Sequence, residues 1–242
     1  AIISQYAENV YFGKPSGLMD QMASSVGGLC FIDFQNPDPQ VTAIAYDFAK
    51  MGYQLVVVNT GGSHDDLTPA YAAIPQEMKA VAQCLGQPDL RSVLPEQFMR
   101  KLPKIREELK GHNADRAILR AAHYFAENNR VSRLVETLQQ NDLPEFLRLI
   151  IESGRSSFEY LQNIFATADR QELALALMLS QRRLEGQGAW RVHGGGFAGT
   201  TLNFVPNAML DSFVKEMETV FGQHSCNVLA IRPEGPACIR LG

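Results

Sequence analysis

The sequence has little that would staple or anchor it. Four cysteines stand in 242 residues, Cys30, Cys84, Cys226 and Cys238. None forms a Cys-x-x-Cys pair and none lies at ligand spacing from a histidine, so neither a zinc site nor a disulfide framework is indicated. Free thiols in a reducing cytoplasm are expected. No apolar run approaches the roughly 18 residues of a membrane-crossing helix, and no signal-peptide pattern is visible. Basic residues are not in excess: a net charge of −4 gives nucleic acid or an anionic membrane no electrostatic reason to bind. Metal-ligating side chains do not gather either. The densest group, His64-Asp65-Asp66, is contiguous, and adjacent side chains rarely point at one ion. It reads as a turn into a helix, and no metal site is assigned.

What remains is a core-forming chain. Hydrophobic residues make up 45% and charged residues 20%, enough to bury one large domain or two smaller ones. Strand patterns lie at both ends: 29–34 and 41–46 joined by a Pro/Asn/Asp turn, 53–59, two short runs flanking 193–199, and 226–231 and 237–241. Helical spacing fills the middle. It covers 68–85 with a kink or two segments expected at Pro75, segments opening at Pro95 and Pro103, 114–140, a helix opened by Pro144, 172–184 and 207–221. Ser16 is the expected N-cap of a helix carrying Asp20, ended by Gly27-Gly28. The order implies an α+β fold, with sheet pieces on one side of a helical layer.

One segment stands out. In Arg191-Val192-His193-Gly194-Gly195-Gly196-Phe197-Ala198-Gly199-Thr200-Thr201, four glycines fall within six positions between two strands. Such a loop permits positive φ and close approach of another backbone, and its amides can hold an anion. No Gly-Lys-Ser/Thr follows, so it is no Walker loop. A strand rather than a helix follows, so it is no dinucleotide fingerprint. A purely structural turn and a ligand-facing loop both satisfy the pattern.

A distant segment resolves the choice by resemblance. Glu8-Asn9 leads to Ser16-Gly17-Leu18-Met19-Asp20-Gln21, which resembles the galactokinase signature. The glycine loop resembles the last motif of the same superfamily, the GHMP small-molecule kinases. Asn59 followed by Tyr71, and Leu90-Arg91-Ser92-Val93, are similar to two further galactokinase segments, in family order. The resemblance implies a two-lobe fold, of which residues 1–47 would be the tail of the N-terminal lobe and 48–242 the C-terminal lobe. It implies ATP-dependent phosphorylation of the anomeric hydroxyl of galactose or a related pyranose. Asp20 would be the base, and Gly17, Asp20 and Tyr71 would contact the sugar. Gly194, Gly195, Gly196 and Gly199 would lie near substrate or phosphate.

The first family motif, which carries an Arg partner for the Asp, and the ATP-phosphate loop have no counterpart here. The chain reads as the C-terminal portion of a longer kinase. ATP and Mg²⁺ would be held largely by the absent portion, and these residues alone would be inactive. The apolar strands at 29–34 and 41–46 would invite self-association. A non-catalytic galactokinase-like sugar sensor is the alternative, and a mevalonate-type kinase a more distant one. Departures are local: His193 stands for Thr or Ser, Ala198 for Gly and Thr200 for Cys. His193 is expected to hydrogen-bond behind the site rather than act as a base. Valine at Gly195 or Gly196 is expected to harm activity more than folding.

Overall fold

The computed structural model describes residues 1–13, 16–62, 67–165 and 167–237. His64, Asp65, Asp66 and Cys238, and the strand expected at 237–241 beyond its first residue, lie outside the described residues.

The chain opens with α1 (Ile2–Tyr6), continued by a wider π turn at Ala7–Tyr11, and α2 (Met19–Val26). A hairpin follows, β1 (Leu29–Asp33) and β2 (Gln40–Ile44), with Leu29 opposite Ile44. After β3 (Tyr53–Asn59) come α3 (Thr68–Cys84), α4 (Pro95–Arg100), α5 (Leu102–Glu108), α6 (Ala114–Gln139) and α7 (Leu143–Ser156). The last is prolonged by a π turn at Ser157–Leu161. Then α8 (Glu172–Leu184), β4 (Ala189–Val192), β5 (Thr200–Pro206), α9 (Leu210–Phe221) and β6 (Cys226–Leu229) complete the described elements.

Two expectations at helix ends are corrected. Pro75 does not divide α3, which is one 17-residue helix. Ser16 does not cap α2; Leu18 occupies the N-cap position without a side-chain bond. The Asn9 side chain is nearer to Ser16 and accepts from its N–H at 2.8 Å and its hydroxyl at 3.3 Å.

The main sheet among the described residues has the order β4-β5-β3-β6, with every neighbouring pair antiparallel. This is the split βαβ order, with α3 to α8 inserted in the first crossover. Alternation along β3 divides its side chains between two faces. Val56 and Val58 pack with Leu173, Leu177, Leu184, Phe213 and Met217 from α8 and α9. Leu55 packs with Phe48, Phe146, Leu147 and Phe204, and the hairpin adds Leu29 and Ile44 to that cluster. The sheet is therefore covered on both faces, not one, because β3 and β5 are apolar at consecutive positions. A second helical core, built on Val81, Phe98, Ile105 and Ala121, joins α3 to α6.

Two ionic contacts set how these layers meet. Arg91 donates to Asp33 and Gln35 of the hairpin and to Asn128 of α6, at 3.0, 3.0 and 2.9 Å. Arg120, 3% exposed at its side chain, pairs with Glu77 of α3 at 2.8 Å and donates to the Leu161 carbonyl at 3.2 Å. A cation that deep is sustained only by a carboxylate and further acceptors.

Candidate functional site

The Glu-Asn and Met-Asp-Gln segments are stitched together by their own side chains. Gln21 Nε2 donates to Glu8 Oε1 at 3.1 Å, and Gln5 Nε2 to the Ser16 carbonyl at 3.1 Å. These bonds fix the first turn of α2, where Asp20 stands, beside the helix of residues 2–11. Facing them is the loop between β4 and β5. Between the two sides opens a cleft of about 810 Å³, lined by Glu8, Gly17, Asp20, Gln21, Tyr71 and Gly195 among others. Residues 178 positions apart thus share one wall-to-wall space. Gly194, Gly196 and Gly199 are not among its lining residues.

The glycines differ in what they do. Gly17 has no left-handed φ, and a Cβ there would meet nothing within 4 Å. Neither backbone nor packing requires glycine at that position. At Gly195 a Cβ would come within 2.6 Å of the Tyr71 ring, so glycine makes room for a side chain of the site itself. Gly196 has φ +79°, and a Cβ would overlap the Asn163 carbonyl oxygen. Gly199 uses its carbonyl to accept from both the N–H and the hydroxyl of Thr60, at 2.8 Å each. Gly194 is exposed at φ +69°.

Tyr71, in the first turn of α3, donates its hydroxyl to the Gly196 carbonyl at 2.7 Å. Its ring meets Phe197 edge to face at 5.1 Å. Partial burial pushes its phenol above the ordinary value. His193 approaches the Thr200 hydroxyl at 3.2 Å through Nδ1, the hydrogen-bonding place expected of it. Burial, reinforced by Arg191, lowers its pKa, and the nearby Asp20 charge opposes that without reversing it.

Sequence reasoning missed Asn163. It is 3% exposed, donates from its side-chain Nδ2 to the Gly195 carbonyl at 3.0 Å, and its main-chain carbonyl accepts from the Phe197 N–H at 2.5 Å. It lies in an irregular stretch after Gln162, which has φ +57°. No periodicity or motif marks it.

The described side chains of this cleft do not suit the phosphates of ATP. The cleft's described lining holds two carboxylates and no Lys or Arg, whereas phosphates need cations or aligned amides. Among the described residues no group of three His, Cys, Asp or Glu could hold a metal ion. The free thiols Cys30, Cys84 and Cys226 are pushed up by burial, Cys226 to about 11, and are unreactive by that measure.

No family model matches the chain. Curated relatives do. The galactokinase of Glaesserella parasuis serovar 5 (strain SH0165) is 32% identical over 220 residues, 89% of this chain and 53% of the relative. That of Actinobacillus pleuropneumoniae serotype 5b (strain L20) is 30% identical over 217 residues, 87% and 52%. The chain spans about half the length of the curated relatives it matches. Among solved structures, Lactococcus lactis galactokinase complexed with galactose matches at a TM-score of 0.74 and 22% identity, over 97% of this chain and 59% of that one. An L. major mevalonate kinase in complex with R-mevalonate matches at 0.58 and 19% identity, over 97% and 58%. The fold is that of the GHMP small-molecule kinases. Within that class the chain is a galactokinase homologue, and the share it spans fits the C-terminal portion that its motif order implies.

Proposed function

We propose that this chain carries the sugar-binding wall of a galactokinase-type 1-kinase. The observation that supports it is the shared cleft: Gly17, Asp20, Tyr71 and Gly195, matched to family motifs from sequence, line one space. Gly17 adds weight, because the open space beside its missing Cβ suits a ligand and nothing in the protein needs it. Hydroxyls are read by carboxylates, amides and phenols, which is the chemistry of this lining.

In the reaction, the Asp20 carboxylate accepts the proton of the anomeric hydroxyl. The freed oxygen then attacks the γ-phosphorus of ATP, which is substrate here, and ADP leaves. Galactose or a related pyranose is the acceptor. ATP and Mg²⁺ would be held by the part of the polypeptide that precedes these motifs in relatives, with residues 1–47 as the tail of that lobe and 48–242 as the second lobe. The 242 residues alone would then turn over no sugar. The free thiols Cys30, Cys84 and Cys226 suit a cytoplasmic setting.

The test is Asp20→Asn in the complete polypeptide, assayed with ATP, Mg²⁺ and galactose. Turnover should fall on the order of 10²- to 10⁴-fold, the usual contribution of a base, with galactose affinity largely kept. Near-normal turnover in the variant would sink the role of Asp20. Galactose binding with no turnover even in the unmutated protein would favour a sugar sensor.

A further inference from the structure

We propose that Asn163 is a positioning residue, which with Tyr71 clamps the glycine loop in the shape that presents Gly195 to the cleft. This inference deepens the sugar-site reading and rests on it for its functional part only.

The loop needs holding. Phe197 is a bulky residue at φ +60°, a conformation that L side chains rarely adopt and that persists only when its surroundings enforce it. It is flanked by Gly196 at +79° and followed by Gly199 at +93°. Three bonds enforce the shape from two sides. Tyr71 donates to the Gly196 carbonyl, the Asn163 side-chain Nδ2 donates to the Gly195 carbonyl, and the main-chain carbonyl of residue 163 receives the Phe197 N–H, a bond that the side-chain variants leave in place. Gly196 lets Asn163 come this close, since a Cβ would overlap it. Phe197 is then 6% exposed, packed with Leu67, Ala70 and Ile74 near the start of α3.

Both jaws of the clamp are anchored to α3. Tyr71 belongs to its first turn. Asn163 follows Leu161, whose carbonyl is held by Arg120, and Arg120 is paired with Glu77, also on α3. The Glu77–Arg120 pair therefore fixes the distance between the two jaws, and Asn163 acts on the cleft through the loop without lining it.

The experiment uses the full 242-residue chain with Asn163→Asp, Asn163→Ala and Tyr71→Phe. Amide hydrogen exchange at 194–199 and galactose titration followed by NMR are the readouts. Asn163→Asp has the same size but no donor, and sets a carboxylate against the Gly195 carbonyl. Loop exchange should quicken about tenfold or more in both Asn163 variants, and galactose affinity should fall while α8 and α9 stay protected. Wild-type exchange in Asn163→Asp would overturn the clamp, since only packing would then matter. Should both Asn163 variants unfold, Tyr71→Phe decides by the same exchange. If the unmutated chain shows no galactose shifts, the sugar reading fails while the exchange data still judge the clamp.

Discussion

The Arg191 guanidinium donates to the Ser153 hydroxyl at 2.7 Å, tying the strand that enters the glycine loop to α7. Ser153 is fully buried and its hydroxyl donates a hydrogen bond to Glu127 of α6. Glu127 also pairs with Arg130, and Arg191 lies 3.7 Å from its carboxylate. Gly154 permits this approach, because a Cβ there would sit 3.0 Å from the Trp190 carbonyl. One carboxylate thus serves two cations and a buried hydroxyl.

Glu127→Gln should therefore destabilise the chain. The variant leaves Arg130 and Arg191 side chains, 11% and 26% exposed, without their shared anion. Breaking a fully buried pair costs about 3–5 kcal/mol, and partial exposure reduces that to roughly 2. Urea unfolding should show a lower midpoint with an unchanged slope. A midpoint equal to wild type would mean that solvent already screens the network.

His123 predicts a pH dependence. It is 8% exposed and hydrogen-bonds Ser156 at 2.9 Å. Burial lowers its pKa; Glu127 opposes this, while Arg191 and Arg130 support it. The unfolded state, with an ordinary imidazole near 6.5, then takes the proton first. Stability should be complete above that value and decline as pH falls through it toward the lowered native value, by at most about 1.4 kcal/mol per pH unit. His193 shifts the same way. His123→Gln should flatten the decline between about pH 7 and 5.5 without abolishing it. Identical slopes in variant and wild type would remove His123 from the account.

The glycines give opposed expectations. Gly196→Ala meets both a left-handed φ and the Asn163 carbonyl, so it should cost about 2–4 kcal/mol in folding. That revises the expectation that substitution there would strike activity first. Gly17→Ala meets nothing, and should leave the melting temperature unchanged while weakening galactose binding. Loss of stability at Gly17 with sugar binding intact would give that glycine a structural role.

How much was legible follows from these contrasts. α6 was readable because its apolar residues recur at helical spacing, β3 as a compact apolar run ended by Gly61-Gly62 and α8 as an apolar helix, and their bounds agree with the structure to within a residue. That Gly17, Asp20 and Tyr71 line one cleft was to be expected only through motif resemblance; nothing in their local pattern brings them together. Of the kink or two segments expected at Pro75, the division into two segments is not found: α3 runs on across the missing donor, with Val81 and Ala82 packed in the helical core. Asn163 and the Arg191–Ser153–Glu127 relay were hidden because they are tertiary contacts between polar residues, spaced by no helical or strand period.

The last expectation concerns the nucleotide. Glu8 and Asp20 line the cleft, and no described lining residue is cationic. Two carboxylates repel a triphosphate and suit a neutral polyol, since charge stabilisation by positioned donors dominates phosphate recognition and transfer. Isothermal titration of the 242-residue chain should show saturable galactose binding and no comparable affinity for ATP with Mg²⁺. Adding salt should leave the galactose affinity nearly constant, because no net charge pairs form with a neutral ligand. Tight ATP binding by this chain would overturn the assignment of the phosphate site to the remainder of the polypeptide, and with it the division of labour between the two lobes.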